Sequence, residues 1–110
     1  MQLDIFADPA IEARDAYIER VEGGCPVDVL HDLHEAARGV AERMQWFTTD
    51  DIMDAAGRTP KEPRVWGAVM LWAQKQGFCL PTGDYRQSRR KECHARPKMV
   101  WRSMIYKGTT

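Results

Sequence analysis

The sequence has few cysteines and lacks the cysteine spacing of zinc fingers and disulfide scaffolds. Its three cysteines, Cys25, Cys79 and Cys93, are an odd set without a CxxC pair. Tetrahedral zinc sites usually combine two close ligand pairs, and the single neighbouring pair Cys93 and His94 does not complete one. Reduced thiols and no bound metal are therefore expected.

Long apolar segments are also missing. No apolar run approaches the roughly 20 residues that a membrane-spanning helix needs, and the N-terminus has no basic segment followed by an apolar one. A cytoplasmic protein without membrane contact is expected. With 110 residues, 44% of them hydrophobic, the chain is long enough for one domain with one core.

The motifs that mark common enzyme sites are absent. The sequence contains no GxGxxG loop and no GxxxxGK[ST] loop. His31 and His34 lie beside Glu35 in a helical pattern, but they do not form the HExxH order of metalloproteases, so a structural role is expected for both. The sequence thus predicts a protein that is not an enzyme and needs no cofactor.

A net charge of zero hides a strong asymmetry between the two halves of the chain. Residues 1–50 carry eleven acidic and four basic side chains, whereas residues 51–110 carry five acidic and twelve basic ones. Residues 85–107 alone contain eight basic side chains and one acid, Glu92. Such a basic block is typical of polyanion-binding segments, although solvated charged loops have the same composition.

The first half of the chain predicts two helices. Asp8 and Pro9 suit an N-cap and a first helical position, and Gly23 and Gly24 suit the end of that helix near Val21. After Pro26, apolar residues recur at three- and four-residue spacing as far as Met44, which predicts an amphipathic helix with a charged outer face.

Two shorter helices are expected next. Thr48 and Asp51 have the spacing of a capping box, so a helix should begin at Thr49 and end at Gly57. A turn of residues 58–62 leads into a helix from about Pro63 to Gln76, with Gly77 as a left-handed cap.

The rest of the chain predicts a β-hairpin. Phe78–Leu80 should form a short strand, Pro81–Asp84 a turn, and Lys98–Met104 a returning strand, with the basic loop between them. The order helix, turn, helix, strand, loop, strand is typical of a winged helix-turn-helix. We therefore expect a mainly α (α+β) fold with two preceding N-terminal helices and a C-terminal β-hairpin wing, divided into a tail (1–7), an acidic helical segment (8–45) and a winged helix-turn-helix domain (46–106).

In a winged helix-turn-helix, the second helix of the pair enters the major groove of double-stranded DNA and the wing contacts the backbone. A helical projection places Val65, Val69 and Ala73 in the core, leaves Trp66 at its edge, and exposes Gly67. The candidate DNA-contacting residues are Arg58, Lys61, Arg64, Gln74, Lys75, Arg86, Gln87, Ser88, Arg89, Arg90, Lys91, Arg96 and Lys98.

The N-terminal tail resembles the peptide by which bacterial replication and repair proteins bind the DNA polymerase sliding clamp. Gln2-Leu3-Asp4-Ile5-Phe6 is close to Gln-Leu-Ser/Asp-Leu-Phe, from which only Ile5 departs. The resemblance implies that Leu3 and Phe6 enter a pocket on the clamp while Gln2 bonds its rim. Alternatively, Leu3, Ile5 and Phe6 fold back on the core as an edge strand or a staple.

The chain is also similar to the small winged-helix proteins of phages and prophages. The similarity lies in residues 47–51, 66–70, 88–90, 94–97 and 100–101, and it implies a role in phage replication, in transcription control or in takeover of the host. A DNA-binding protein of the bacterial nucleoid is the resulting hypothesis. A non-enzymatic interaction module that inhibits a host factor is the alternative, and the acidic helices leave a homodimer open.

Overall fold

The computed structural model describes residues 9–89 and 96–108. This part of the chain forms four helices and a three-stranded antiparallel sheet, a mixed α+β architecture. The helices are α1 (Pro9–Glu22), α2 (Val27–Arg43), α3 (Thr49–Ala56) and α4 (Arg64–Lys75), and the strands are β1 (Trp46–Phe47), β2 (Cys79–Gln87) and β3 (Pro97–Ser103). None of these helices is long and apolar enough to cross a membrane.

A single hydrophobic core joins α2 to the elements that follow it. Leu33 and Val40 of α2 are buried in the same cluster as Ile52 of α3, Val69 of α4 and Trp101 of β3. The core therefore crosses the boundary at residue 46 that the sequence suggests. Because α2 supplies one wall of this core, it packs as part of the unit formed by α3, α4 and the sheet.

The predicted start and end of α3 are confirmed. The Thr48 side chain accepts a hydrogen bond from the backbone N–H of Asp50, and the Asp51 carboxylate accepts one from the backbone N–H of Thr48 at 2.9 Å. Gly57 ends the helix in the left-handed conformation, with φ 64°. The capping box satisfies backbone donors that the first turn of a helix would otherwise leave without partners.

The fourth helix buries more of its surface than the sequence indicates. Trp66, which the projection places at the edge of the core, is buried along with Val65 and Met70. Gly77, φ 84°, follows the helix in the expected left-handed conformation. The wide buried face arises because α4 is covered on one side by the core and on another by α1, its main packing partner.

The sheet has the strand order β1-β3-β2, so the short strand before α3 pairs with the last strand of the chain. Trp46 lies opposite Arg102, and Leu80 lies opposite the same arginine from the other side. Phe47, Cys79, Trp101 and Ser103 lie on the face towards the helices and are buried. The opposite face of the sheet is turned away from the core.

The predicted turn at Pro81–Asp84 is wrong. The strand β2 continues to Gln87, and residues 82–84 form an irregularity between the pairs Pro81–Trp101 and Tyr85–Met99. The Thr82 hydroxyl donates to the carbonyl oxygen of Val100 at 2.7 Å, and Gly83 takes a positive φ of 85°. The sequence PTGD carries turn residues because a bulge needs the same backbone freedom as a turn.

Candidate nucleic-acid interface

The β2–β3 hairpin carries a pair of like charges near its end. Arg86 and Lys98 lie directly opposite each other, so their side chains share one face of the hairpin. Arg96 follows at the base of the loop and is exposed. Within residues 9–89 and 96–108, none of these three cations forms an ion pair, so their charges are available to an external anion.

A fourth cation extends this surface along β3. Arg102 lies four residues from Lys98 on the same face of the strand, roughly 13 Å away at the rise of an extended chain. It is exposed and has no ion-pair partner in the described segments. Its neighbours across the strands, Trp46 and Leu80, are 47% and 43% exposed. Together these four exposed or partly exposed residues form the hairpin cation surface: Arg86, Arg96, Lys98 and Arg102.

Ser88 and Arg89, both predicted to contact DNA, are instead engaged with α3. The Ser88 hydroxyl donates to both carboxylate oxygens of Asp50, and the Arg89 backbone N–H donates to the same group at 2.9 Å. The Arg89 guanidinium lies 3.1 Å from carboxylate oxygens of Asp51 and Asp54. These hydrogen bonds raise the pKa of Arg89, first through Asp51 and then through Asp54. The two residues hold the end of the hairpin against α3.

Arg58, predicted to meet a phosphate in the turn before α4, is also paired within the protein. Its guanidinium lies 2.7 Å from Asp32 and 3.5 Å from Asp28, both on α2. The hydrogen bond to Asp32 is the main cause of the raised pKa of Arg58. Lys61, in the same turn, is exposed and forms no ion pair with any described residue.

The predicted DNA-contacting residues of α4 have mixed surroundings. Arg64 binds the Glu62 carboxylate at 3.0 Å, a contact that lowers the pKa of Glu62. Lys75 lies 3.6 Å from Asp15 of α1. Gln74 is half-buried near the end of the helix. Both cations of α4 therefore already face carboxylates of the protein.

The face of α4 that the sequence predicts to be open is exposed at Arg64, Gly67 and Lys75, and α1 packs beside it. Tyr17 of α1 stands over Gly67, where a Cβ atom would lie 3.9 Å from the tyrosine hydroxyl. Ala68, between Arg64 and Lys75 on that side, is fully buried. A shallow cavity of about 450 Å³ separates α1 from the sheet. It is lined by Tyr17, Thr49, Gly67, Met70, Leu71, Met99 and Trp101.

Some predicted site residues lie outside the described residues. These are the tail residues Gln2, Leu3, Asp4, Ile5 and Phe6, the loop residues Arg90 and Lys91, and the neighbours Cys93 and His94. Gln87 is placed, and it is exposed at the last pair of the hairpin, opposite Pro97. In the described portion, no group of three His, Cys, Asp or Glu side chains is arranged to hold a metal ion.

Sequence reasoning missed two parts of this arrangement. Arg102 was counted in the basic block but not as a contact, although the alternation of Lys98, Val100 and Arg102 along a strand places both cations on one face. Asp50, in the first turn of α3, is the second residue that the sequence does not identify. No local signal identifies it as the acceptor for Ser88, because 38 residues separate the two.

Comparisons with known proteins give no family to which the chain can be assigned. No protein-family model, curated protein sequence or solved structure matches it.

Proposed function

We propose that this protein is a winged helix-turn-helix that binds double-stranded DNA through its hairpin. The order α2-β1-α3-α4-β2-β3, with β1 added to the edge of β3, agrees with that architecture. In it, α3 and α4 are the helix pair and the hairpin is the wing. A cytoplasmic protein of the bacterial nucleoid, acting in phage replication or transcription control, remains the biological setting we propose from the sequence resemblance.

The observation that carries this proposal is the unpaired Arg86–Lys98 pair. Like charges directly opposite each other on antiparallel strands destabilise the sheet, by amounts on the order of 0.2–1 kcal/mol. The protein has sixteen acidic side chains, yet none of the described ones neutralises this pair. A bound polyanion would remove the repulsion, and the phosphate backbone of DNA supplies closely spaced negative charges.

The experiment is a titration of a fluorescently labelled random-sequence duplex of about 20 base pairs at several salt concentrations. The logarithm of the association constant should fall linearly with the logarithm of the salt concentration. Each phosphate contact should contribute about −0.9 to the slope of this line. Replacing Arg86 or Lys98 by Gln should reduce the magnitude of the slope by about one unit each.

The matched control is Arg38→Gln, which removes one positive charge from a residue that is paired with Glu42 on α2. This variant should bind like the unmodified protein. Binding that does not depend on salt, or equal losses in Arg86→Gln and Arg38→Gln, would reject the hairpin as the DNA contact.

A protein-interaction role is the second candidate, and the exposed apolar residues around Arg102 favour it. Trp46, Leu80 and Met104 are each more than 40% exposed, and tryptophan, methionine and arginine are enriched at protein interfaces. We also propose, from the sequence alone, that the tail binds the bacterial sliding clamp. Purified clamp should retain the protein but not its Leu3→Ala, Phe6→Ala variant; equal retention, or none, rejects that proposal.

A further inference from the structure

The helix α1 lies antiparallel along the face of α4 that a winged helix-turn-helix would present to the major groove. Asp15 of α1 meets Lys75 at the end of α4, while Arg20 and Val21 line a cavity with Arg64 at its start. Between these points Tyr17 stands over Gly67. In this arrangement α1 and a DNA duplex compete for the same side of α4.

The helix α1 contributes no buried side chain to the main core cluster, against which only its partly buried Val21 packs. Its buried side chains are Ile18 and Glu22, and Ile18 is not part of the main core cluster. Residues 9–13 are all exposed, including Ile11, which is 42% exposed. The hydrogen bond between Glu22 and His34, at 2.8 Å, ties the end of α1 to α2. In the first half of α1, Asp15 forms a partly exposed ion pair with Lys75 of α4.

The helix α1 has a net negative charge, as DNA does. The helix contains four acidic and two basic side chains. Asp15 places a carboxylate oxygen 3.6 Å from the Lys75 ammonium group. A phosphate approaching this end of α4 would make the same kind of contact, so it can replace Asp15 without leaving Lys75 unpaired.

A two-glycine segment connects α1 to the body of the protein. Gly23 and Gly24 lie between α1 and α2, and a Cβ atom at Gly23 would approach the carbonyl oxygen of Glu19 to 2.7 Å. Glycine tolerates backbone angles that other residues rarely adopt. This segment can absorb the rotation that separates α1 from α4.

We propose that α1 is a detachable acidic cover that blocks the DNA-reading face of α4 and is displaced when duplex DNA binds there. The proposal rests on the proposed DNA-binding function and adds its regulation. With α1 in place, Tyr17 lies over Gly67 and Asp15 pairs with Lys75, so a duplex cannot make these two contacts although both residues are exposed. With α1 displaced, Gly67 and Lys75 become available beside the hairpin cation surface. DNA can bind α4 only in the fraction of molecules in which α1 is released. The apparent affinity is therefore the affinity of the released state multiplied by that fraction.

The test compares two isoleucines of α1 in the full-length protein. Ile18→Asn removes the buried apolar contact of α1, whereas Ile11→Asn makes the same chemical change at an exposed position of the same helix. Neither substitution alters charge. Ile18→Asn should bind random duplex DNA at least about tenfold more tightly than the unmodified protein, with a larger salt slope, because the open fraction rises. Ile11→Asn should change neither value.

Hydrogen exchange provides a second readout that needs no DNA. In the unmodified protein, the amides of α1 should exchange well before those of α2 and α4, and Ile18→Asn should speed exchange in α1 alone. Protection of α1 equal to that of α2 would overturn the proposal, as would tight DNA binding that Ile18→Asn does not improve.

The two proposals fail in different ways. If neither the unmodified protein nor Ile18→Asn binds DNA, the DNA-binding function is rejected, and the cover is rejected with it. If both bind equally and the Arg86→Gln variant binds less, the function holds and the cover alone is rejected.

Discussion

The Ser88 hydroxyl lies 2.9 Å and 3.1 Å from the two carboxylate oxygens of Asp50, and both side chains are buried. Asp50 stands in the first turn of α3, where the helix dipole favours a negative charge. Ser88 is the first residue after β2, and its backbone N–H donates to the carbonyl oxygen of Arg96 across the loop. The end of β2, where the basic loop begins, is thus anchored to the helix pair.

Replacing Asp50 by Ala should destabilise the protein. The change removes the buried carboxylate that accepts hydrogen bonds from the Ser88 hydroxyl and the Arg89 backbone N–H, and the loss of a buried hydrogen-bond partner costs roughly 1–3 kcal/mol. We expect the free energy of unfolding in urea to fall by about 2–4 kcal/mol. Asp84→Ala, at an exposed position of β2, should cost less than about 0.5 kcal/mol. Equal losses would show that Asp50 has no anchoring role.

Arg89 and Arg86 are three residues apart, yet replacing each by Gln should affect different properties. The change at Arg89 should affect stability, and the change at Arg86 should affect DNA binding. Arg89→Gln removes ion pairs with Asp51 and Asp54 that are partly exposed, so it should cost less than about 1 kcal/mol of stability and leave the salt slope of DNA binding unchanged. Arg86→Gln should retain stability and reduce that slope. A reduced slope for Arg89→Gln would show that its guanidinium leaves α3 to contact phosphate.

The sequence predicted the helices well because their signals are local. The caps at Thr48, Gly57 and Gly77 and the apolar spacing of α2 depend on residues within a turn or two of each other. The sequence predicts a turn where the structure has a bulge at residues 82–84, because nothing in PTGD distinguishes the two. Only the pairing of Tyr85 with Met99 shows that the strand resumes.

The candidate site was harder to predict because exposure depends on the whole fold. Helical projection correctly separated Val65 and Val69 from Gly67, but it could not show that α1 lies over the open face. Counting cations likewise could not distinguish Arg89, paired across 35 or more residues, from Arg86. Local periodicity defines the faces of an element, and long-range packing decides which of them meet solvent.

Thr48 should contribute to stability through its side chain. Thr48→Ala removes the acceptor for the backbone N–H of Asp50 at a position that is only 2% exposed. N-cap replacements by alanine cost about 0.5–2 kcal/mol, and the buried site favours the upper half of that range. Thr48→Ser retains the hydroxyl and should recover most of the loss in urea unfolding. A Ser variant as unstable as the Ala variant would assign the effect to the methyl group.

The substitution Gly67→Ala tests how closely α1 packs against α4. A Cβ atom there meets nothing closer than the Tyr17 hydroxyl at 3.9 Å, an ordinary contact. Gly67→Ala should therefore raise the free energy of unfolding by about 0.5–1 kcal/mol, because glycine is costly inside a helix. Destabilisation would mean that α1 and α4 pack more tightly than these contacts indicate.

The buried thiol of Cys79 should make stability depend on pH in the alkaline range. Burial raises the pKa of Cys79 from 9.0 to about 12, so the folded protein keeps the proton that the unfolded chain releases above pH 9. The contribution is therefore fully present below pH 9 and is lost as the pH rises towards 12.

Between those values, each pH unit should lower the free energy of unfolding by about 1.4 kcal/mol. Other groups titrate in the same range, so the measurement is the difference between the unmodified protein and Cys79→Ala, which lacks the thiol. That difference should shrink steadily above pH 9. A constant difference from pH 8 to 11 would show that the thiol ionises as readily in the folded protein as in the unfolded chain.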